Sequence, residues 1–253
     1  MSDVPCIDGF RIIWLLNEVV LTVETTLGSL QKTEDQDVAR NIETFVETVK
    51  WSGITDEKLE LLLGEVRQLA RKRLQNNRDV VLNWGLVMLW SRFEALIEDI
   101  LLLFFKTDER AFLSWAGETS VVFADLQNAG TVDDVKVKYF TKAIKKFTDE
   151  PITKRVELLA KKLNTREEVL FSKKNCNEKI KTQLGNWGSA TLKSISDQRN
   201  KIVHDQQIPV GNIDELRNSE VVLERFLLNV VAIVGDKLNM PVLIQHIVLP
   251  KLV

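Results

Sequence analysis

Six consecutive residues, Arg199, Asn200, Lys201, Ile202, Val203 and His204, set a permanent cation, a carboxamide and an imidazole within about two helical turns. These types suit phosphate chemistry. A guanidinium grips a phosphate through two parallel N–H···O bonds, and an imidazole, with a reference pKa near ~6.5, takes or gives a proton around neutrality. Spacing limits how they cooperate: five residues apart on a regular α-helix means directions about 140° apart. The helix must therefore end or unwind near His204, for which Asp205, the following loop and Pro209 provide, or two subunits must contribute jointly to one site. A bland reading stands beside this one, because cations near a helix C-terminus complement its dipole by about 0.3–1 kcal/mol each. The other histidine, His246, lies in an apolar stretch and reads as a packed or rim residue.

Helical periodicity dominates the elements that must position these residues. Five prolines and eleven glycines are too few for a protein of many short strands, so the chain reads as all-α. Helices are expected over residues 10–30 and 35–51. A third is expected to enter through a Thr55 cap and run on through Leu59, Leu62, Leu63, Val66 and Leu69. The longest, residues 77–105, is apolar around nearly its whole circumference and should be central; Arg92, Glu94, Glu98 and Asp99 interrupt it. A loop-rich stretch with Gly117 and Gly130 follows. Further helices are expected over 132–147, over 152–163 with Pro151 as its first residue, over 175–187 up to Gly188, over 189–203 and over 213–238. The six tryptophans fall at helical core positions, with Trp84 and Trp90 as packing or dimer contacts. Pro241 and Pro250 bracket a short apolar tail that cannot stand alone in water.

A long apolar helix with an embedded acid (Trp90, Ser91, Arg92, Phe93, Glu94, Ala95, Leu96, Ile97, Glu98) precedes by about a hundred residues the run from Ser196 to Asp205. Together they resemble the HEPN superfamily, in which a helical bundle carries an Arg followed after four to six residues by His, commonly with a polar residue just after the Arg. The resemblance covers roughly residues 77–238. It leaves the N-terminal third, an additional helical region by its periodicity, unassigned, and implies an up-and-down HEPN-like bundle acting as a metal-independent RNA endonuclease of toxin or defence type. Its products would be a cyclic phosphate and a 5′-hydroxyl, and the enzyme would be a homodimer whose motifs face each other. Arg199, Asn200 and His204 would be catalytic, and Glu94 would orient Arg199 or else pair with a neighbour such as Arg92. Lys201, Lys173 and Lys174 would contact RNA, and no metal or cofactor is implied. Some bundles of this kind keep the fold without catalysis, so the alternative is a nucleotide-, RNA- or protein-binding module; a purely structural helical adaptor is a third reading.

The organisation expected is an acidic helical region over residues 1–76, the bundle over 77–238 and the apolar tail over 239–253. Net charge is −2, which excludes a globally basic nucleic-acid binder. Charge is uneven, however: residues 1–60 hold 12 acids against 5 Lys plus Arg, and residues 136–181 hold 14 Lys plus Arg against 6 acids. The second block is where a polyanion should land, and the first could shield it as an autoinhibitory contact. Tyr139, Phe140, Phe147 and Phe171 within the basic block are expected to face the core. Two distant cysteines, Cys6 and Cys176, fit a reducing compartment, and Asn17 and Glu18 interrupt the first apolar helix, so the expectation is a cytoplasmic protein without a membrane span. A toxin of this kind calls for restraint by an antitoxin or regulatory partner, which no residue names.

Overall fold

The computed structural model describes residues 7–50, 56–116, 122–127, 129–174 and 176–243. Cys6, Trp51, the Thr55 cap, Gly117, His246 and Pro250 lie outside the described residues. The chain is all-α. β1 (Ile7–Asp8) leads into α1 (Gly9–Lys50) and α2 (Asp56–Thr107). After these come α3 (Glu109–Ala116), α4 (Phe123–Gln127), α5 (Val132–Thr148), α6 (Ile152–Lys162) and α7 (Glu167–Leu170). The order ends with α8 (Glu178–Leu184), α9 (Ser189–Asp205), α10 (Ile213–Leu238) and β2 (Val242–Leu243).

Two expected interruptions are absent. α1 runs unbroken through residues 31–34 and α2 through 71–76, fusing pairs of helices anticipated separately. Apolar periodicity lapses at both places, but periodicity reports a buried face, whereas Gln, Lys, Arg, Glu and Leu continue a helix without one. Within Gly9–Thr44, α1 holds the one stretch among the described residues long and apolar enough to cross a membrane. Its Ile12, Leu16, Val19, Val20 and Val23 are buried within the protein.

The chain divides into two compact units. One comprises Met1–Asn17, Leu89–Asp197 and Asn218–Val253, the other Glu18–Met88 and Gln198–Arg217. In the first, Phe105 of α2 centres an aromatic cluster with Phe112 (5.5 Å), Trp115 (5.4 Å) and Phe140 (5.9 Å). A second chain of rings links Trp90, Phe93, Phe226, Phe171 and Trp187. Tyr139, Phe140 and Phe147 face the core as expected. The ends of elements follow local chemistry. Thr131 and Asp134 form a reciprocal capping box at α5, Pro151 caps α6 one position earlier than expected, and Asn177 caps α8, which Gly185 (φ 49°) ends before Gly188 is reached. Asn164 and Asn239, both with positive φ, close α6 and α10 through bonds from Thr165 N–H to Ala160 O and from Met240 N–H to Gly235 O (both 2.9 Å). Val242 and Leu243 of the expected tail pair in parallel with Ile7 and Asp8. Gly235 makes room for this pair, since a methyl there would lie 2.7 Å from Val242 Cγ2 and 2.9 Å from Met240 O.

In the second unit α1 and α2 form an antiparallel hairpin. Val23 lies against Gly85, while Val38, Ala39 and Ile42 share a groove with Ala70 and Leu74. A methyl on Gly85 would sit 2.7 Å from Val23 Cγ2 and 3.0 Å from Leu216 Cδ2. The segment after α9 is held by Asn83, whose side chain donates to Val210 O and accepts from Val210 N–H, each at 3.0 Å. Arg217 pairs with Glu24. Tryptophans divide. Trp90, Trp115 and Trp187 are buried as expected, whereas Trp14 and Trp84 are 49% and 57% exposed. Val80 and Met88 are also exposed, so the helix expected to be central shows one apolar stripe to solvent.

Candidate functional site

α9 begins where Gly188 N–H donates to Thr191 Oγ1 at 3.2 Å. Its inward stripe is Leu192, Ile195 and Ile202, at three- and seven-residue steps, all buried. Arg199 falls on this same stripe, four residues after Ile195, and is half-buried. Its Nη1 donates to Asn200 Oδ1 at 2.9 Å, while its Nε is shut from solvent without a hydrogen-bond partner. An orphaned buried donor costs about 1–3 kcal/mol, a cost that marks a position for scrutiny. Asn200, Lys201 and His204 are exposed.

The helix stays regular through His204 and ends at Asp205. Gln206 then turns left-handed (φ 53°), and Gln207 N–H returns to Lys201 O at 3.0 Å. The structure therefore brings Arg199 and Asn200 together and sets His204 about 140° around the helix, on the solvent side.

Glu94 belongs to the first unit, where it accepts from Arg155 Nη1 at 2.8 Å. Arg155 also donates to Glu150 O at 2.7 Å and to Thr148 O, so the pair ties the turn between α5 and α6 to α2. The neighbour that holds Glu94 is thus Arg155, sixty-one residues away in sequence, with no local signal to announce it.

The basic block over residues 136–181 is neutralised in part by its surroundings. Lys136 pairs with Glu109, Lys138 and Lys142 with Asp125, Lys154 with Glu157 and Lys181 with Glu178. The hydrogen bond from Lys138 holds the Asp125 carboxyl below its ordinary value. Lys162 donates to Ser114 O at 2.8 Å, and Lys173 donates to Lys181 O and Gly185 O at the end of α8. Lys174 keeps an exposed side chain on a loop pinned by Arg225 and Asn229. A cleft of about 470 Å³ opens here, lined by Phe112, Trp115, Tyr139 and Leu158 with Lys142 and Lys146 at its edge.

A closer-set run of cations without partners among the described residues lies on α2. Between Glu65 and Asp79 the sequence has no acid but five cations, Arg67, Arg71, Lys72, Arg73 and Arg78. All five are exposed on α2, and none makes a side-chain hydrogen bond or ion pair among the described residues. The signal was readable as an acid-free run; averaging charge over residues 1–60 and 136–181 passes over it.

Asn17 Nδ2 donates to the buried Glu220 Oε1 at 3.0 Å. One turn on, burial first and the charge of Glu220 second push the Glu224 carboxyl up to about 7, against a smaller opposing effect of Arg225. Among the described residues no group of three or more His, Cys, Asp or Glu is placed to hold a metal ion. No protein-family model matches the chain, and no curated protein or solved structure is detectably similar to it.

Proposed function

We propose that this protein is a metal-independent RNA endonuclease of the HEPN kind, of toxin or defence type, acting as a homodimer in the cytoplasm. The observation that carries the reading is the α9 terminus: Arg199 fixed to Asn200 by a hydrogen bond, one turn before an exposed His204. In the proposed reaction an imidazole takes the proton of a ribose 2′-OH. The resulting alkoxide attacks the adjacent phosphorus, the bond to the 5′-oxygen breaks, and a protonated imidazole returns a proton to that oxygen. Arg199 offsets the charge gathering on the phosphoryl oxygens, and Asn200 orients them. A cyclic phosphate and a 5′-hydroxyl result, and DNA, without the 2′-OH, is not cut this way.

Because Arg199 and His204 diverge on one regular helix, the site is proposed to form between two copies, each contributing to the other's phosphate. The exposed stripe Val80, Trp84 and Met88, at four-residue steps on α2, offers apolar surface for such a contact. The test is incubation of the purified protein with RNA in EDTA, beside Arg199→Ala and His204→Ala. Cleavage is expected from the parent chain, with a loss of at least about 100-fold in each variant. Cleavage that persists in both variants removes the assignment. The same divergence of Arg199 from His204 favours a second reading, a non-catalytic RNA-binding module, for which tight binding without cleavage is the signature.

A further inference from the structure

We infer that the acid-free segment of α2 is a phosphate rail: Arg67, Arg71 and Arg78, lying within about 40° of one another around the helix, bind the sugar-phosphate backbone of a polynucleotide. The three guanidiniums are spaced about 6 and 10 Å along the axis. They stand beside the apolar seam of the hairpin, because Leu63, Ala70 and Leu74 occupy the adjacent 40° or so. Arg67 and Arg71 edge a groove of about 340 Å³ floored by Ala39, Ile42, Ala70 and Leu74. Lys72 and Arg73 extend the positive field to either flank.

Three observations choose the partner. The cations have no partner among the described residues, whereas Lys136, Lys138, Lys142, Lys154 and Lys181 are each ion-paired, so an incoming anion meets charge that nothing in the described structure already neutralises. Four of the five are Arg, whose planar fork matches phosphate oxygens, and Gln68, exposed about 60° around the helix from Arg71, adds an amide donor of the sort that phosphate and sugar contacts use. An anionic membrane would ask for a broad apolar face beneath the cations. Of the apolar residues on this segment, only Leu69 is fully exposed, at 68%.

The inference rests on reading the partner as RNA and not on the cleavage chemistry, and its test keeps the two apart. Binding of a fluorescent, 2′-O-methylated single-stranded RNA, which cannot be cut, is measured by anisotropy from 50 to 300 mM salt. The proteins compared are the full chain, Arg67→Gln/Arg71→Gln/Arg78→Gln, the same triple replaced by Lys, and a Lys142→Gln/Lys146→Gln/Lys154→Gln control. The Gln triple is expected to lower the salt slope by about 2 and weaken binding roughly 100-fold near 0.1 M salt. The Lys triple should keep the slope, and the control should change it by less than about 1. Equal weakening in the Gln and Lys triples, an unchanged slope in the Gln triple, or no binding by the full chain overturns the rail. Retention on phosphatidylserine vesicles that RNA does not compete away overturns it in favour of a membrane. Cleavage of ordinary RNA is assayed in parallel. Rail-dependent binding with no cleavage sinks the nuclease and keeps the rail, whereas cleavage with an unchanged KM in the Gln triple does the reverse.

Discussion

Glu94 illustrates how a side chain gains a role from what touches it. The sequence offered it as the partner of Arg199 or of a neighbour such as Arg92; the structure gives it to Arg155, which simultaneously donates to Glu150 O and Thr148 O. Removing the guanidinium strands three acceptors, so Arg155→Met is expected to cost about 2–4 kcal/mol in urea unfolding, and Glu94→Gln about 1. If Glu94 serves only this pair, Glu94→Gln leaves RNA cleavage per folded molecule unchanged; a fall in kcat without a fall in stability would restore it to the site. Glu224 gives a pH signature. Its carboxyl is pushed from 4.5 up to about 7, so the folded chain holds this proton more tightly than the unfolded one does. That contribution is fully present below about pH 4.5 and is lost as pH rises through about 7. Glu224→Gln should therefore be more stable than the parent at pH 8, by roughly 2–4 kcal/mol, and nearly equal to it at pH 4.5. Urea titrations at the two pH values measure the difference.

At the scale of elements, what was legible depended on which force wrote the signal. Pro151 marked the start of α6 to within one position, whereas the ends of α8, expected at residue 175 and at Gly188, fall at Asn177 and Gly185. Helix existence was legible wherever a buried face repeats. The continuity of α1 and α2 was not, since apolar periodicity lapses over residues 31–34 and 71–76, which yet contain no Gly or Pro to break a helix. The Arg199 and Asn200 pairing joins neighbours in sequence, whereas the Asn83 clamp on Val210 spans 127 residues and has no local signal. Helix approach adds a test. Gly85 admits Val23 and Leu216 at contact, so Gly85→Val should overpack the second unit and cost about 1–3 kcal/mol. Gly235→Ala meets the Met240 carbonyl and should lower the thermal midpoint despite its better helix propensity.

For the molecule as a whole, the exposed Val80, Trp84 and Met88 stripe and the opposed directions of Arg199 and His204 pose one question, whether two copies complete a site. Mixing inactive Arg199→Ala with inactive His204→Ala answers it. A heterodimer keeps one intact composite site of two, so random pairing of equal amounts should restore about one quarter of parental cleavage. No recovery after subunit exchange would confine the chemistry to one chain. Trp84→Glu should shift the mass measured by light scattering from dimer to monomer and abolish the recovery.

Gln206 offers a way to turn the imidazole without touching it. Its left-handed backbone (φ 53°) sits two residues beyond His204, and a residue with a Cβ holds that conformation at some cost, least when it is replaced by Gly. Gln206→Gly should lock the terminator, while Gln206→Val, which resists positive φ, should push the last turn of α9 to unravel or extend. The pair acts as a rudder. If cleavage follows the aim of His204, the two variants should move activity in opposite directions while Arg199, Asn200 and His204 remain as they are.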